Sequence, residues 1–245
     1  MPTHERQPST AHLSDEEWIT LLRAGAISVE GRMPWSSNAT LLVRVQWNEH
    51  EERAVYKPGR GERELWDFPR RLYKREVAAF ELDRALGLGV VPAAVVRRDA
   101  PFGEGSLQRF VDARFDEHYF SLRESSAYHD SLREIAAFDL LANNADRKGG
   151  HLLVDKTDKL WAIDNALTFH ADWKLRTVMW DFAGDAIPEP ALTGARRLVD
   201  ALPEPLCDLL SEDEQDALQA RARIVVDNPV FPEPDDETRL PWPLV

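Results

Sequence analysis

The spacing of apolar residues changes character about halfway along the chain. After a polar stretch over residues 1–12, Ser14-Asp15-Glu16-Glu17 reads as a capping box, with Ser14 as N-cap and Glu17 reaching back to its amide. The box predicts a short helix carrying Trp18, Leu21 and Leu22 that stops at Gly25. The period then shortens to two over Ile27 to Glu30, Thr40 to Trp47 and Ala54 to Lys57. These runs are separated by a turn-rich Gly31 to Asn38 and by Asn48 to Glu51, which together predict an antiparallel meander. A polar loop follows over 59–68. Leu72 to Leu86 has the helical period, with Val77, Phe80, Leu82 and Leu86 apolar, and Gly87 or Gly89 ends it. Val90 to Arg97 and Gly105 to Val111 read as two further strands.

Beyond Asp116 the pattern is mostly helical. An amphipathic helix over Leu132 to Leu141 runs into Ala142-Asn143-Asn144-Ala145-Asp146. His151 to Val154 and Leu160 to Ile163 flank a turn at Thr157-Asp158 and predict a hairpin, and helices follow around Ala191 to Leu202 and Glu212 to Val226. The expected organisation is a leader over 1–12, a β-rich part with one long helix over 13–111, a helical part over 112–228, and a Pro-rich tail over 229–245 packing through Trp242. Strands first and helices afterwards make the fold class α+β.

Composition narrows the partners. The net charge is −13, with 43 acidic against 30 basic residues, so nucleic acid and anionic membranes are poor partners. The basic cluster Arg70, Arg71, Lys74 and Arg75, followed by Glu76 and Glu81, reads as a solvated helix face. No apolar run is long enough to span a bilayer, and the first ten residues lack the pattern of a signal peptide. A single cysteine, Cys207, excludes an internal disulfide framework and fits the reducing cytoplasm. Trp161, Trp173 and Trp180 read as core rather than as a ligand cage.

The segment Asn143-Asn144-Ala145-Asp146-Arg147-Lys148-Gly149-Gly150-His151, followed by Ile163-Asp164-Asn165, carries the chemistry. It sets out a carboxylate, a cation two residues on, an imidazole five residues on, and a second carboxylate after the next strand. Phosphoryl transfer needs such parts: a carboxylate to orient the attacking hydroxyl, a cation to offset charge on the moving group, and a carboxylate to hold Mg²⁺. Each residue alone also fits an ordinary turn. The weight lies in their joint order.

The segment resembles the catalytic loop of the protein-kinase-like superfamily, in the form of phosphatidylinositol 3-/4-kinase-like proteins of an actinobacterial branch, with HipA-type kinases more distant. The resemblance covers roughly residues 26 to 185 and implies a bilobal kinase-like fold, with ATP and Mg²⁺ (or Mn²⁺) as cofactors. It implies that Asp146 is the catalytic aspartate, Lys148 the basic residue beside it, and Asp164 the metal-binding aspartate. Lys57, ending the strand Ala54-Val55-Tyr56-Lys57, matches the lysine on the α- and β-phosphates, and Glu76 the carboxylate that orients it. Ser36 and Ser37 fall where a phosphate-covering loop belongs, and Gln108 and Phe110 in the strand that meets adenine. His151 stands where the family has an asparagine as second metal ligand. Imidazole suits Mn²⁺ or Zn²⁺ better than Mg²⁺. The resemblance therefore implies a kinase with a protein hydroxyl or soluble metabolite as acceptor, or else a nucleotide-binding pseudokinase or an AMP-transferring enzyme. The acceptor and the oligomeric state are not legible.

Overall fold

The computed structural model describes residues 13–33, 39–234 and 239–245, so Ser36 and Ser37 lie outside the described residues. The chain forms two compact units: 13–61 with 93–110, and 62–92 with 111–245, within that description.

The first unit is a five-stranded antiparallel sheet in the order β1-β2-β3-β5-β4, with one helix against it. Helix α1 (Asp15–Ala24) starts at the expected capping box. The Ser14 amide donates to Glu17 at 2.7 Å, and the Glu17 amide to the Ser14 hydroxyl at 3.4 Å. Its buried Trp18, Ile19, Leu21 and Leu22 face β4, β2 and β5, whose buried Ala94, Val95, Val43, Val45 and Leu107 come from the inward side of the sheet. The strands are β1 (Ala26–Arg32), β2 (Leu41–Trp47), β3 (His50–Pro58), β4 (Ala94–Arg97) and β5 (Gly105–Arg109). Gly31 and Arg32 belong to β1 rather than to the expected turn. A bulge between Val29 and Gly31 absorbs Glu30 and lets pairing continue to Arg32↔Leu41. Gly105 pairs with Pro58, and a Cβ there would come within 2.3 Å of the Lys57 carbonyl, so only glycine lets β5 run this close to the end of β3.

The second unit is helical. Helix α2 (Leu72–Leu86) packs on α4 (His129–Ala142), α5 (Glu189–Asp200) and α6 (Glu204–Leu209), and α7 (Glu212–Asp227) packs on α4 and α5. A four-residue helix, α3 (Tyr119–Leu122), precedes α4, and a short hairpin, β6 (Leu152–Val154) with β7 (Leu160–Ala162), follows it.

Of the basic cluster expected on a solvated face, Arg70 and Arg71 are exposed and Lys74 is half-buried, but helix α2 corrects that expectation for the residues that follow. Arg75, Glu76, Glu81 and Asp83 are all buried, because helices pack around most of its circumference. The buried charges are satisfied in place. Arg75 donates to the Thr168 carbonyl at 2.9 Å and pairs with Glu214, and Asp83 accepts from the amides of Val90 and Val91 at 3.1 Å each. Gly87, with φ of 75°, ends the helix.

Trp242 is not the anchor of the tail, since it is 85% exposed. The tail is held by its backbone and by buried Phe231. Phe231 N donates to the Asp185 carbonyl at 2.9 Å, Thr177 N to that of Arg239 at 3.1 Å, and Gly149 N to that of Leu244 at 2.7 Å. Trp173, expected in the core, is 42% exposed.

Candidate functional site

The loop after α4 is built from buried polar groups. Asn143, with φ of 53°, ends the helix, and its side-chain amide donates to the carbonyls of His170 (2.9 Å) and Asp172 (2.7 Å). Asn144 Oδ1 accepts the Asp146 amide at 3.0 Å, a side-chain turn that sets the aspartate's backbone. Arg147 is fully buried and joins three segments. Its Nε and Nη2 donate to the two oxygens of Asp139 on α4, each at 2.9 Å; Nη1 donates to the Ile163 carbonyl at 2.7 Å, and Nη2 also to Asn165 Oδ1 at 2.6 Å. Helix α4, the Asp146 loop and the Asp164 loop are thereby held in one frame by a bidentate, charge-assisted pair.

On that frame the expected residues of the second unit come together in two pairs. Lys148 Nζ lies 3.0 Å from Asp146 Oδ2. His151 Nε2 lies 3.4 Å from Asp164 Oδ2, while its Nδ1 accepts the Lys148 amide at 3.4 Å. This leaves Nε2 as the ring nitrogen that faces Asp164. Burial pushes the Asp146 carboxyl above its ordinary range. The Asp164 charge adds to the rise, and Lys148 opposes it by hydrogen bond and charge. Asp164 adopts the left-handed region (φ 56°), which aspartate tolerates better than most residues. Glu76 Oε2 accepts the amide of the next residue, Asn165, at 3.1 Å, and so helps hold that conformation.

Lys57, Gln108 and Phe110 belong to the sheet unit. In the register Lys57 pairs with Ser106 and Gln108 with Val55. Gln108 is buried and its Nε2 has no hydrogen-bond partner, an orphan donor of the kind a ligand satisfies. The amide of Phe110 is engaged by the Arg53 carbonyl at 3.1 Å, and its ring lies 4.6 Å from the Arg53 guanidinium.

Arg147, Asp139, Asn144 and Asn165 escaped the sequence reading. One signal was present: Asp139 stands in the apolar run Phe138-Asp139-Leu140-Leu141, where a charge implies a buried partner. Among the described residues there is no group of three or more His, Cys, Asp or Glu side chains placed to hold a metal. One or two carboxylates with waters suffice for Mg²⁺, so the Asp164 carboxylate, with the His151 imidazole 3.4 Å from it, has the chemistry to hold a divalent cation. No helix among the described residues is long and apolar enough to cross a membrane.

The architecture is shared with known kinases. The chain resembles the structure of hydra Fam20 with sugar (TM-score 0.53, 16% identity, 86% of this chain and 87% of that one). It also resembles the Golgi casein kinase with Mn/ADP bound (TM-score 0.52, 14% identity, 91% and 80%). At such identities the likeness concerns the fold, which is α+β and protein-kinase-like, with a β-rich N-terminal part and a helical C-terminal part. The sequence matches no family model. It is 35% identical to protein Rv2133c of Mycobacterium tuberculosis (strain ATCC 25618 / H37Rv) over 269 aligned positions, covering 94% of this chain and 96% of that protein. The chain belongs to the family of protein Rv2133c.

Proposed function

We propose that this protein is an ATP-dependent phosphotransferase of the phosphatidylinositol 3-/4-kinase-like type, acting on a hydroxyl in the cytoplasm. The observation that carries the reading is Asp146, its carboxyl raised by burial, paired with Lys148 and within electrostatic reach of Asp164 on a loop frame set by Arg147. A raised carboxyl is poised to accept a proton near neutral pH more readily than a solvated one.

In this reading Asp146 orients the acceptor hydroxyl and takes its proton as the oxygen bonds to the γ-phosphorus. The bond from that phosphorus to the bridging oxygen breaks, and ADP leaves. Lys148 offsets the charge on the transferring group. Lys57 holds the α- and β-phosphates, with Glu76 as its orienting carboxylate. Gln108 and the Phe110 strand meet adenine; the orphan Gln108 donor supports that part. Asp164 would hold the divalent metal, with His151 beside it, and bound Mg²⁺ or Mn²⁺ supplies neutralisation of the phosphate oxygens. The charge of −13 favours a protein hydroxyl or a soluble metabolite over a lipid at an anionic surface.

Incubation with γ- and α-labelled ATP tests the reading. Label transferred from the γ position alone, and abolished by Asp146→Ala, is the expected result. Transfer from the α position would make the enzyme an AMP transferase, and tight nucleotide binding without transfer a pseudokinase. Either overturns the proposal.

A further inference from the structure

The helical unit holds a cavity of about 500 Å³ whose lining includes Trp173, Arg221, Ile224, Val225 and Phe231. That volume is in the range of small-molecule pockets. Its walls are mostly apolar, and three large apolar side chains on them remain in solvent, Ile224 at 65% exposure, Trp173 at 42% and Val230 at 38%. Ile224 lies on α7, whereas Trp173 lies about nine residues beyond Asp164 in the irregular segment that follows β7; no lining residue is one that the phosphotransfer reading uses.

The cation in this lining is the informative residue. Arg221 is buried, and burial alone lowers its pKa to about 10, with no carboxylate acting on it. Its Nε donates to the Leu141 carbonyl at 2.9 Å and its Nη1 to the His170 carbonyl at 3.4 Å, whereas Nη2 is buried without a partner. The buried arginines elsewhere in this unit each have a counter-ion, Glu214 for Arg75 and Asp139 for Arg147. A guanidinium withdrawn from water with charge and a donor both uncompensated is a receptor for an anion.

We infer that this cavity binds a small amphipathic carboxylate, with its apolar body against Trp173, Ile224 and Phe231 and its carboxylate on Arg221. A bare inorganic anion would leave the apolar walls unused, and a neutral apolar molecule would leave Arg221 as it is. The exposed Glu233 on the same lining disfavours a phosphate dianion more than a monocarboxylate. The site stands apart from the phosphotransfer reading and does not depend on it.

Calorimetric titration of the full chain with indole-3-propionate and with its primary amide tests the inference. The acid should bind at least about tenfold more tightly than the amide, the worth of one charge-assisted hydrogen bond. Ile224→Glu changes an exposed helix position, leaves the fold intact by circular dichroism, and should weaken the acid at least about tenfold. Arg221→Met, where it folds, should make acid and amide equal. No binding of the acid at millimolar concentration, equal affinity for acid and amide in the unaltered protein, or an affinity indifferent to Ile224→Glu would each overturn it.

Discussion

The pair Asp139–Arg147 offers a quantitative test of what positions the Asp146 loop. Both side chains are 1% exposed or less, and Arg147 makes four hydrogen bonds between 2.6 and 2.9 Å. Asp139→Leu leaves a guanidinium buried without its counter-ion, and Arg147→Met leaves a carboxylate in the same state. Each should cost about 3–5 kcal/mol, the usual penalty for breaking a buried pair from one side. In the double variant no unpaired charge remains. Its cost reduces to the Asn144 amide, the Ile163 carbonyl and the Asn165 side-chain oxygen, which lose partners at about 1 kcal/mol apiece. The double variant should therefore be about as stable as either single variant, with a coupling of at least about 3 kcal/mol. Urea unfolding at pH 7 measures all four corners of the cycle. Additivity within about 0.5 kcal/mol, or an Asp139→Leu variant losing less than about 1 kcal/mol, would show that the pair does not hold the frame.

The other expectations are more local. Asp146→Asn should raise stability at pH 7 and leave it unchanged at pH 3: a carboxyl raised by folding stabilises below its unfolded value, and that contribution fades as pH climbs through its folded value, so urea midpoints at the two pH values check the sign. Lys148→Met removes a group that lowers the Asp146 pKa, so the acidic limb of the proposed phosphotransfer reaction should move to higher pH, read from kcat/KM between pH 4 and 8. Gly149→Ala places a Cβ 3.2 Å from the Phe120 ring and 3.3 Å from the Leu244 carbonyl, which should speed amide exchange over 239–245 while exchange in α4 stays slow. Gly194→Ala sets a Cβ 2.5 Å from the Leu86 Cα and should cost about 1–3 kcal/mol in thermal or urea unfolding.

Local signals were legible where one physical rule settled the outcome. The capping box at Ser14, the two-residue period through β2 and β3, and the stop at Gly87 each needed only neighbours in the chain. The burial of Glu76 and Arg75 was not legible, because the carbonyl of Thr168 and the amide of Asn165 that receive them are about ninety residues away. A cluster of charges on a helix looks the same in sequence whether it faces water or a set of buried partners. Asp146, Lys148, His151 and Asp164 were readable as a spaced series, and their two pairings follow from short loops. Arg147 was hidden beside Lys148. Both are cations in a polar loop, and only the three-dimensional return of Asp139 and Ile163 separates the buried one from the one at the surface of the loop.

The contact between the tail and Gly149 bears on how the protein is handled at the bench. A Cβ built on Gly150 would sit 3.6 Å from the Val245 methyl, so any affinity handle joined after residue 245 would emerge beside the loop that carries Asp146 and Lys148. Such a handle would compete for space with whatever that loop receives, and slow turnover in a fusion would say nothing about the chemistry of the unfused chain. Kinetic work belongs on protein from which the handle has been cleaved.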